Sequence, residues 1–306
     1  MTVQAASGFP QNSGTIIPQI WSGKLLHKFY TTTVLAAISN TDYQGEISKK
    51  GDKVKIRGVP DIVIRNYVKG QSLLTQNPET PVIDLDIEHA HYFNFAIDDI
   101  DKFQSDIDCM SIWTEAASKD LAVFQDRRVL ADVFADAAAE NRGPMAGKLT
   151  AGFDLGQVGF PVALTAANVV SFIVDLGTVL DEQDIPGDAR KLVLPAWAIA
   201  LIKKSELKDA SLSGDGQSIL RNGRVGMVDR FELFMSNSLS SVVDGPVRAF
   251  NAFGSHREAL TYAAQITETD TMKSESTFGY KCRGLLVYGY KVKNPEAMVH
   301  AYISRG

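Results

Sequence analysis

Hydrophobic and polar residues alternate in two separate stretches of the first third of the chain. The basic positions of the first stretch, in residues 53–57, are Lys53, Lys55 and Arg57. The acidic positions of the second stretch, in residues 83–88, are Asp84, Asp86 and Glu88. A period of two is typical of half-buried strands, so the pattern predicts a hairpin with one basic and one acidic strand around a polar tip at residues 69–81. A two-stranded hairpin is marginal alone in water, so it must rest on another surface.

The next stretch has the three- and four-residue spacing of a helix and contains no internal glycine or proline from Gln104 to Asn141. Its apolar positions are Trp113, Ala117, Leu121, Phe124, Leu130, Val133, Phe134 and Ala137. At about 1.5 Å per residue this helix would span on the order of 50 Å, which is too long for the interior of a compact domain. The pattern therefore predicts a spine helix.

Residues 161 onward predict a second unit that mixes helices and strands. Its first helix has an apolar stripe made of Val169, Phe172, Ile173, Leu176, Val179 and Leu180. The patterns that follow predict a strand at 191–195, a helix at 196–204, an exposed loop at 205–218, and strands within 223–237, 257–266 and 284–292. The fold class is therefore α+β.

The first 42 residues predict an arm, part extended and part helical, with apolar anchors at Trp21, Leu25 and Phe29. A free-standing arm of this composition would expose too much apolar surface, so it must lie against other protein. Two interpretations remain open, an arm that contacts a neighbouring subunit and an ordinary element of the subunit's own core.

Composition describes a globular chain of 306 residues, with 45% hydrophobic and 22% charged residues. The formal net charge of −5 disfavours tight binding to nucleic acid, which normally requires a basic excess. No apolar run approaches the roughly 20 residues of a membrane span, so no membrane partner is expected. The two cysteines, Cys109 and Cys282, lie far apart, which indicates neither a disulfide framework nor a zinc site.

Chemical motifs are weak throughout the chain. The stretch Gly143–Thr150 has the wrong glycine spacing for a phosphate-binding loop. His89 and His91 share one face of a predicted strand and could supply two metal ligands, but no third ligand is indicated and structural histidines are the favoured interpretation. We therefore predict no catalytic, cofactor-binding or metal residues.

Three stretches resemble the major capsid proteins of tailed bacteriophages with the Hong Kong 97-type fold. The order of arm, long charged hairpin and long helix is similar to that family's N-terminal arm, E-loop and P-domain spine helix. The segment LRNGRVGMVDRFELFMSN at 220–237 is similar to an A-domain segment. Residues 253–298, FGSHREALTYAAQITETDTMKSESTFGYKCRGLLVYGYKVKNPEAM, resemble the family's closing strands.

The resemblance implies a division of the chain into five parts. These are an N-terminal arm at 1–42, an extended E-loop hairpin at 43–88, a first part of the P-domain with the spine helix at 89–160, an A-domain at 161–252, and the P-domain return strands with the C-terminus at 253–306. The contact residues it suggests are Trp21, Leu25 and Phe29 in the arm, with Lys53, Lys55, Arg57, Asp84, Asp86 and Glu88 in the hairpin.

The function implied by the resemblance is a coat protein that is not an enzyme. It would assemble in the host bacterial cytoplasm into hexamers and pentamers of an icosahedral shell around double-stranded DNA, and would remain in the virion. Further partners would be the portal protein, scaffolding and decoration proteins, and packaged DNA held without sequence recognition. The alternatives are an encapsulin-type nanocompartment shell and a metal-dependent enzyme that uses His89 and His91.

Overall fold

A computed structural model describes residues 33–42, 53–60, 62–98, 109–205, 226–274 and 278–306. Its helices are α1 (Leu35–Ile38), α2 (Cys109–Asp132), α3 (Val169–Asp181) and α4 (Ala196–Lys204), with short 3-10 turns at Val133–Asp136, Ala139–Asn141 and Pro295–Ala297. Its strands are β1 (Lys53–Arg57), β2 (Val82–Asp86), β3 (His89–Asp98), β4 (Val162–Leu164), β5 (Arg190–Leu194), β6 (Met227–Val228), β7 (Phe231–Met235), β8 (Ser241–Asp244), β9 (Val247–His256), β10 (Leu260–Lys273), β11 (Gly279–Val292) and β12 (Met298–Arg305).

A seven-stranded mixed sheet with α3 and α4 forms the larger core. Its strand order is β4-β12-β9-β5-β7-β6, and β8 also pairs with β9. β4 runs parallel to β12 and β5 parallel to β7, while the remaining pairs are antiparallel. The apolar stripe predicted for the helix of residues 169–180 is confirmed, because all six of its side chains are buried on α3.

A three-stranded antiparallel sheet, in the order β10-β11-β3, lies against α2. β10 and β11 form a long hairpin, in which Leu260 pairs with Val292 at one end and Lys273 with Tyr280 at the other. A second hydrophobic cluster joins α1 and the end of α2 to this sheet, through residues such as Ile38, Leu130 and Tyr288. The same cluster contains Val193 of β5 and Phe253 of β9, so the smaller sheet and α2 pack against the larger sheet.

The long helix ends earlier than the sequence predicts, at Asp132 instead of Asn141. α-Helical structure stops at Asp132, and 3-10 turns carry the chain on to Asn141. Tertiary bonds replace helical ones here, because the Ala138 N–H donates to the Pro295 carbonyl and the Asn141 side chain donates to the carbonyls of Glu296 and Met298. The predicted start, between residue 104 and Cys109, lies outside the described residues.

The larger sheet takes strands from both sides of residue 252, and the predicted division of the chain into five parts stays a prediction. β9 crosses that position, and β12 joins the same sheet as the strands of residues 161–252. The predicted helix at 196–204 is confirmed as α4. Nearly all of the predicted loop at 205–218 lies outside the described residues. In the described residues of the whole chain, no helix is both long and apolar enough to cross a membrane.

Candidate interaction surfaces

The charged hairpin is paired at its base as the alternation predicts. β1 and β2 are antiparallel, with Lys53 opposite Asp86 and Lys55 opposite Asp84. The Lys53 ammonium lies 2.9 Å from the Asp86 carboxylate, and the hydrogen bond between them raises the pKa of Lys53. Four of the six predicted contact charges therefore face each other within one hairpin.

The other two predicted charges have no charged counterpart in this register. Arg57 pairs with Val82 across the ladder, and Glu88 lies beyond the end of β2. Of the six predicted contact charges, Arg57 and Glu88 are therefore the two that are not opposite another charge of the hairpin and could face another molecule.

The inner face of the hairpin base rests on the smaller sheet. Ile56 and Leu85 are buried together with Ala263 of β10, and Val54, Ile83 and Ile87 pack around them. Gly289 of β11 makes the close approach possible, since a Cβ atom there would lie 2.2 Å from the Asp86 carbonyl oxygen. This contact supplies the support that a two-stranded hairpin needs.

Beyond this base, residues 58–81 form a long excursion, and the described part of it contains no strand ladder. Gly58 still donates to the Pro81 carbonyl, and a turn at Gly70 reverses the chain. The prolines at positions 60, 78 and 81 cannot donate backbone hydrogen bonds, which limits how far the ladder can extend. The two predicted strands are therefore paired only at their base.

The excursion is more apolar at its surface than the predicted polar tip. Val59 is 91% exposed and Ile64 is 89% exposed. The other large hydrophobic side chains exposed along it are Ile62, Val63, Tyr67, Val68, Leu73 and Leu74. Sequence reasoning missed them as contact residues because they follow neither a helical nor a strand period. The available signal was an apolar run between prolines with no matching partner in the chain.

A groove between α2 and β3 offers apolar surface on another part of the molecule. Its cavity of about 490 Å³ is lined by His91 and Phe93 from β3 and by Ala117, Leu121 and Phe124 from α2. Phe124 keeps about half of its surface exposed, although the helical pattern predicts it on the buried face. Along this groove α2 therefore covers the small sheet incompletely.

His89 and His91 are both held by aromatic neighbours in this region. His91 Nε2 lies 3.1 Å from the Tyr288 hydroxyl, and its ring meets Phe124 edge-on. His89 stacks on Tyr290. Burial lowers the pKa of His91, which favours its neutral form. In the part of the chain that the structure describes, no three His, Cys, Asp or Glu side chains are placed to hold a metal.

The arm anchors Trp21, Leu25 and Phe29 lie outside the described residues, so their placement stays a prediction. The nearest described segment is residues 33–42, in which Val34, Leu35 and Ile38 are buried against the end of α2. The chain immediately after the predicted anchors is therefore held on the subunit.

Comparison with known proteins gives matches in structure alone. No protein-family model matches the chain, and no curated protein matches it. A solved structure from Mycobacterium phage Che8 is 27% identical, with a TM-score of 0.74 over 94% of this chain and 97% of that one.

Two phage capsid structures are similar over nearly the whole chain at lower identity. The capsid of cyanophage P-SCSP1u is 14% identical, with a TM-score of 0.68 over 95% of this chain and 94% of that one. The capsid of cyanophage Pam1 is 10% identical, with a TM-score of 0.71 over 98% of this chain and 99% of that one. The α+β capsid fold of Hong Kong 97 type, expected from the sequence, is confirmed.

Proposed function

Since the chain has the fold of phage capsid proteins along nearly its full length, we propose that it is the major capsid protein of a tailed bacteriophage and forms the icosahedral shell. The observation that carries this proposal is the similarity in fold, which extends over 94% of the chain in the Che8 comparison. The function is structural and needs no catalytic step.

The shell is built from copies of this chain arranged in hexamers and pentamers. Closed symmetric assemblies repeat one contact many times, so individually modest interfaces suffice. The exposed apolar side chains of residues 58–81 support this arrangement, because a monomer gains nothing by exposing them to water.

In this assembly the excursion packs across a neighbouring subunit. The groove between α2 and β3, with Phe93, Leu121 and Phe124, supplies an apolar surface of suitable character. Full burial of one large aliphatic side chain is worth about 1.5–3 kcal/mol, so a few buried positions would stabilise each contact. The charges of the hairpin base, Arg57 and Glu88 above all, set the register of the contact, and Trp21, Leu25 and Phe29 add a second contact from the arm.

The remaining partners follow from the role of a shell. The portal protein replaces one pentamer, scaffolding and decoration proteins bind the shell surfaces, and packaged DNA lies inside without sequence recognition. A net charge of −5 suits a wall that DNA must slide past without adhering. Assembly takes place in the host cytoplasm, and the protein then remains in the virion.

Electron microscopy and sedimentation of the expressed protein test the proposal directly. Uniform shells or capsomers are the expected result. A single 33.4 kDa species at every protein concentration, with no assembly in any salt, would contradict it. The contents of particles isolated from their natural source separate a phage shell from an encapsulin-type compartment, because the former encloses DNA and the latter encloses an enzyme.

A further inference from the structure

Residues 33–42, the last part of the predicted arm at 1–42, form a short segment, here called the strap, that precedes the charged hairpin. Val34, Leu35 and Ile38 of the strap are buried in the cluster that contains Val129 and Leu130 of α2. The larger core around α3 contains no strap residue among its buried side chains. The strap therefore belongs to the second hydrophobic cluster of the subunit and not to the cluster around α3.

Asp126 of α2 holds the first end of the strap. One oxygen of its carboxylate accepts hydrogen bonds from the backbone N–H groups of Val34, at 3.0 Å, and Leu35, at 2.9 Å. Asp126 is only 1% exposed, and its other oxygen has no hydrogen-bond partner among the described residues. Burial raises the pKa of Asp126, while the two backbone donors act in the opposite direction. Burying a carboxylate with one unpaired oxygen costs free energy of folding. Its presence here therefore indicates that Asp126 serves to position the strap.

Lys191 of β5 holds the middle of the strap, by donating a hydrogen bond to the Ala37 carbonyl at the end of α1. The Lys191 ammonium also lies 5.7 Å from the centre of the Phe234 ring. Because Lys191 and Asp126 come from different elements, α1 is held at both of its ends by side chains that lie far away in the sequence.

Asn40 fixes the far end of the strap to the edge of β10. Its N–H donates to the Leu260 carbonyl at 2.8 Å, and its carbonyl accepts from Tyr262 at 2.9 Å. The Asn40 side chain donates to both oxygens of Glu258, at 2.9 and 3.0 Å, and Glu258 in turn accepts from Lys293 at 2.6 Å. The hairpin base then packs on Ala263 of the same strand.

We propose that the strap positions both extensions of the subunit, and that Asp126 is the positioning residue that sets where the arm leaves the core. Residues 1–32 join the strap at the end held by Asp126, and β1 begins at residue 53, beyond the end held by Asn40. The same ten-residue range thus sets the root of the arm and of the hairpin. This inference rests on the proposed shell function, since it gives the extensions a direction that assembly uses.

The decisive experiment compares three variants of the full chain by hydrogen exchange and by electron microscopy. Asp126→Leu removes the acceptor and introduces an apolar side chain of similar size, Asp126→Asn keeps one acceptor oxygen, and Asp188→Leu removes an equal charge at an exposed site outside the strap. In Asp126→Leu we expect amide exchange in residues 33–42 to rise at least tenfold while that of α3 is unchanged. We also expect the yield of regular shells to fall at least tenfold. Asp126→Asn and Asp188→Leu should match the parent in both measurements.

Two results would overturn the inference. Unchanged exchange in Asp126→Leu would show that the carboxylate does not hold the strap, and faster exchange with normal shells would show that the strap does not direct assembly. If Asp126→Leu fails to fold, Lys191→Met provides the same comparison from the other contact point. A parent protein that forms no shells would instead contradict the proposed function, while the exchange measurement would still decide whether Asp126 holds the strap.

Discussion

The seven-stranded sheet and the excursion of residues 58–81 are built from similar apolar residues, yet they bury them to opposite extents. Phe231 and Leu192 in the sheet are fully buried, whereas Ile64 and Leu73 in the excursion are almost fully exposed. The sheet is covered by helices of its own chain, while the excursion extends away from the surface that supports its base. The difference supports the proposal that the buried apolar residues stabilise the subunit while the exposed ones make contacts outside it.

The largest loss of subunit stability is expected from a cavity in the sheet. Phe231→Ala removes a ring that packs against Gly254 and faces Gly177, and truncation of a buried Phe costs about 3–5 kcal/mol. Urea-induced unfolding of the dissociated subunit measures this change. Phe278→Ala is the matched control, because Phe278 is exposed and its truncation should leave the free energy of unfolding nearly unchanged. Equal losses in the two variants would contradict the proposed division between core and surface.

Acid should weaken the sheet through His300 on β12. Burial lowers the pKa of His300 to about 4, while an unfolded histidine titrates near 6.5. Between these values the unfolded chain binds more protons than the folded one, so stability is lost as the pH falls from about 6.5 to about 4. The loss is at most about 3–4 kcal/mol, from roughly 1.4 kcal/mol for each unit of pKa difference.

The variant His300→Gln tests this assignment, because it retains a donor for the side-chain oxygen of Asn251, 3.0 Å from His300 Nε2. The pH dependence of its unfolding should be flatter than the parent's over the same range. Parallel curves for the two proteins would assign the acid sensitivity to other groups.

Reversal of the hairpin charges should affect subunit stability less than either change above. In Lys53→Glu/Lys55→Glu/Arg57→Glu, like charges face each other at the base, but they are exposed and screened, so the melting temperature should stay within a few degrees of the parent's. Assembly should be blocked or misdirected, and added salt should reproduce part of this effect in the parent. Normal assembly of the triple variant at low salt would show that these charges are only a solvated face.

A swapped variant sharpens that result. Adding Asp84→Lys and Asp86→Lys to the triple variant restores opposite charges within the ladder while keeping the reversed surface. We expect its assembly to remain impaired, because a neighbouring subunit still meets the wrong charges. Full recovery would limit the role of these residues to pairing inside the hairpin.

The smallest change in subunit stability is expected in the excursion itself. Ile64→Ser/Leu73→Ser/Leu74→Ser should alter the free energy of unfolding by no more than about 0.5 kcal/mol, as is usual for exposed sites. The same variant should assemble poorly, which sedimentation would measure. Asn66→Ser/Thr75→Ser/Thr80→Ser, in the same excursion, should assemble normally. A clear fall in stability for the apolar variant would place these side chains in the subunit's own core.

Periodic elements of the fold could be predicted from the sequence, and elements without a period could not. The alternation at β1 and β2 and the stripe of α3 each bury one face only, so a regular pattern marks them. β9 and β12 were missed because they lie inside the larger sheet and are buried along nearly their whole length, which removes the alternation.

The candidate contact surfaces were predicted only in part for the same physical reason. Charges in a ladder repeat every two residues and are visible in the sequence, so Lys53 and Asp86 could be named together. Ile64 and Leu73 are exposed because the chain extends beyond the surface of β10 that supports the hairpin base. The local sequence pattern does not show where that happens. The bonds of Asp126 to residues 92 and 91 positions earlier lie equally beyond local patterns.

The contacts of the strap join residues that are far apart in the sequence, so they form in a fixed order during synthesis of the chain. Asn40 needs Glu258, which is 218 residues later, and Lys191 reaches back 154 residues to Ala37. A ribosome releases Glu258 only after six of the seven strands of the larger sheet have emerged, whereas Asp126 and Lys191 emerge earlier. The end of the strap held by Asn40 and Glu258 is therefore fixed late, and an incomplete nascent chain cannot hold both ends of the strap at once. Long-range docking acts in this way as a built-in delay against premature association on polysomes.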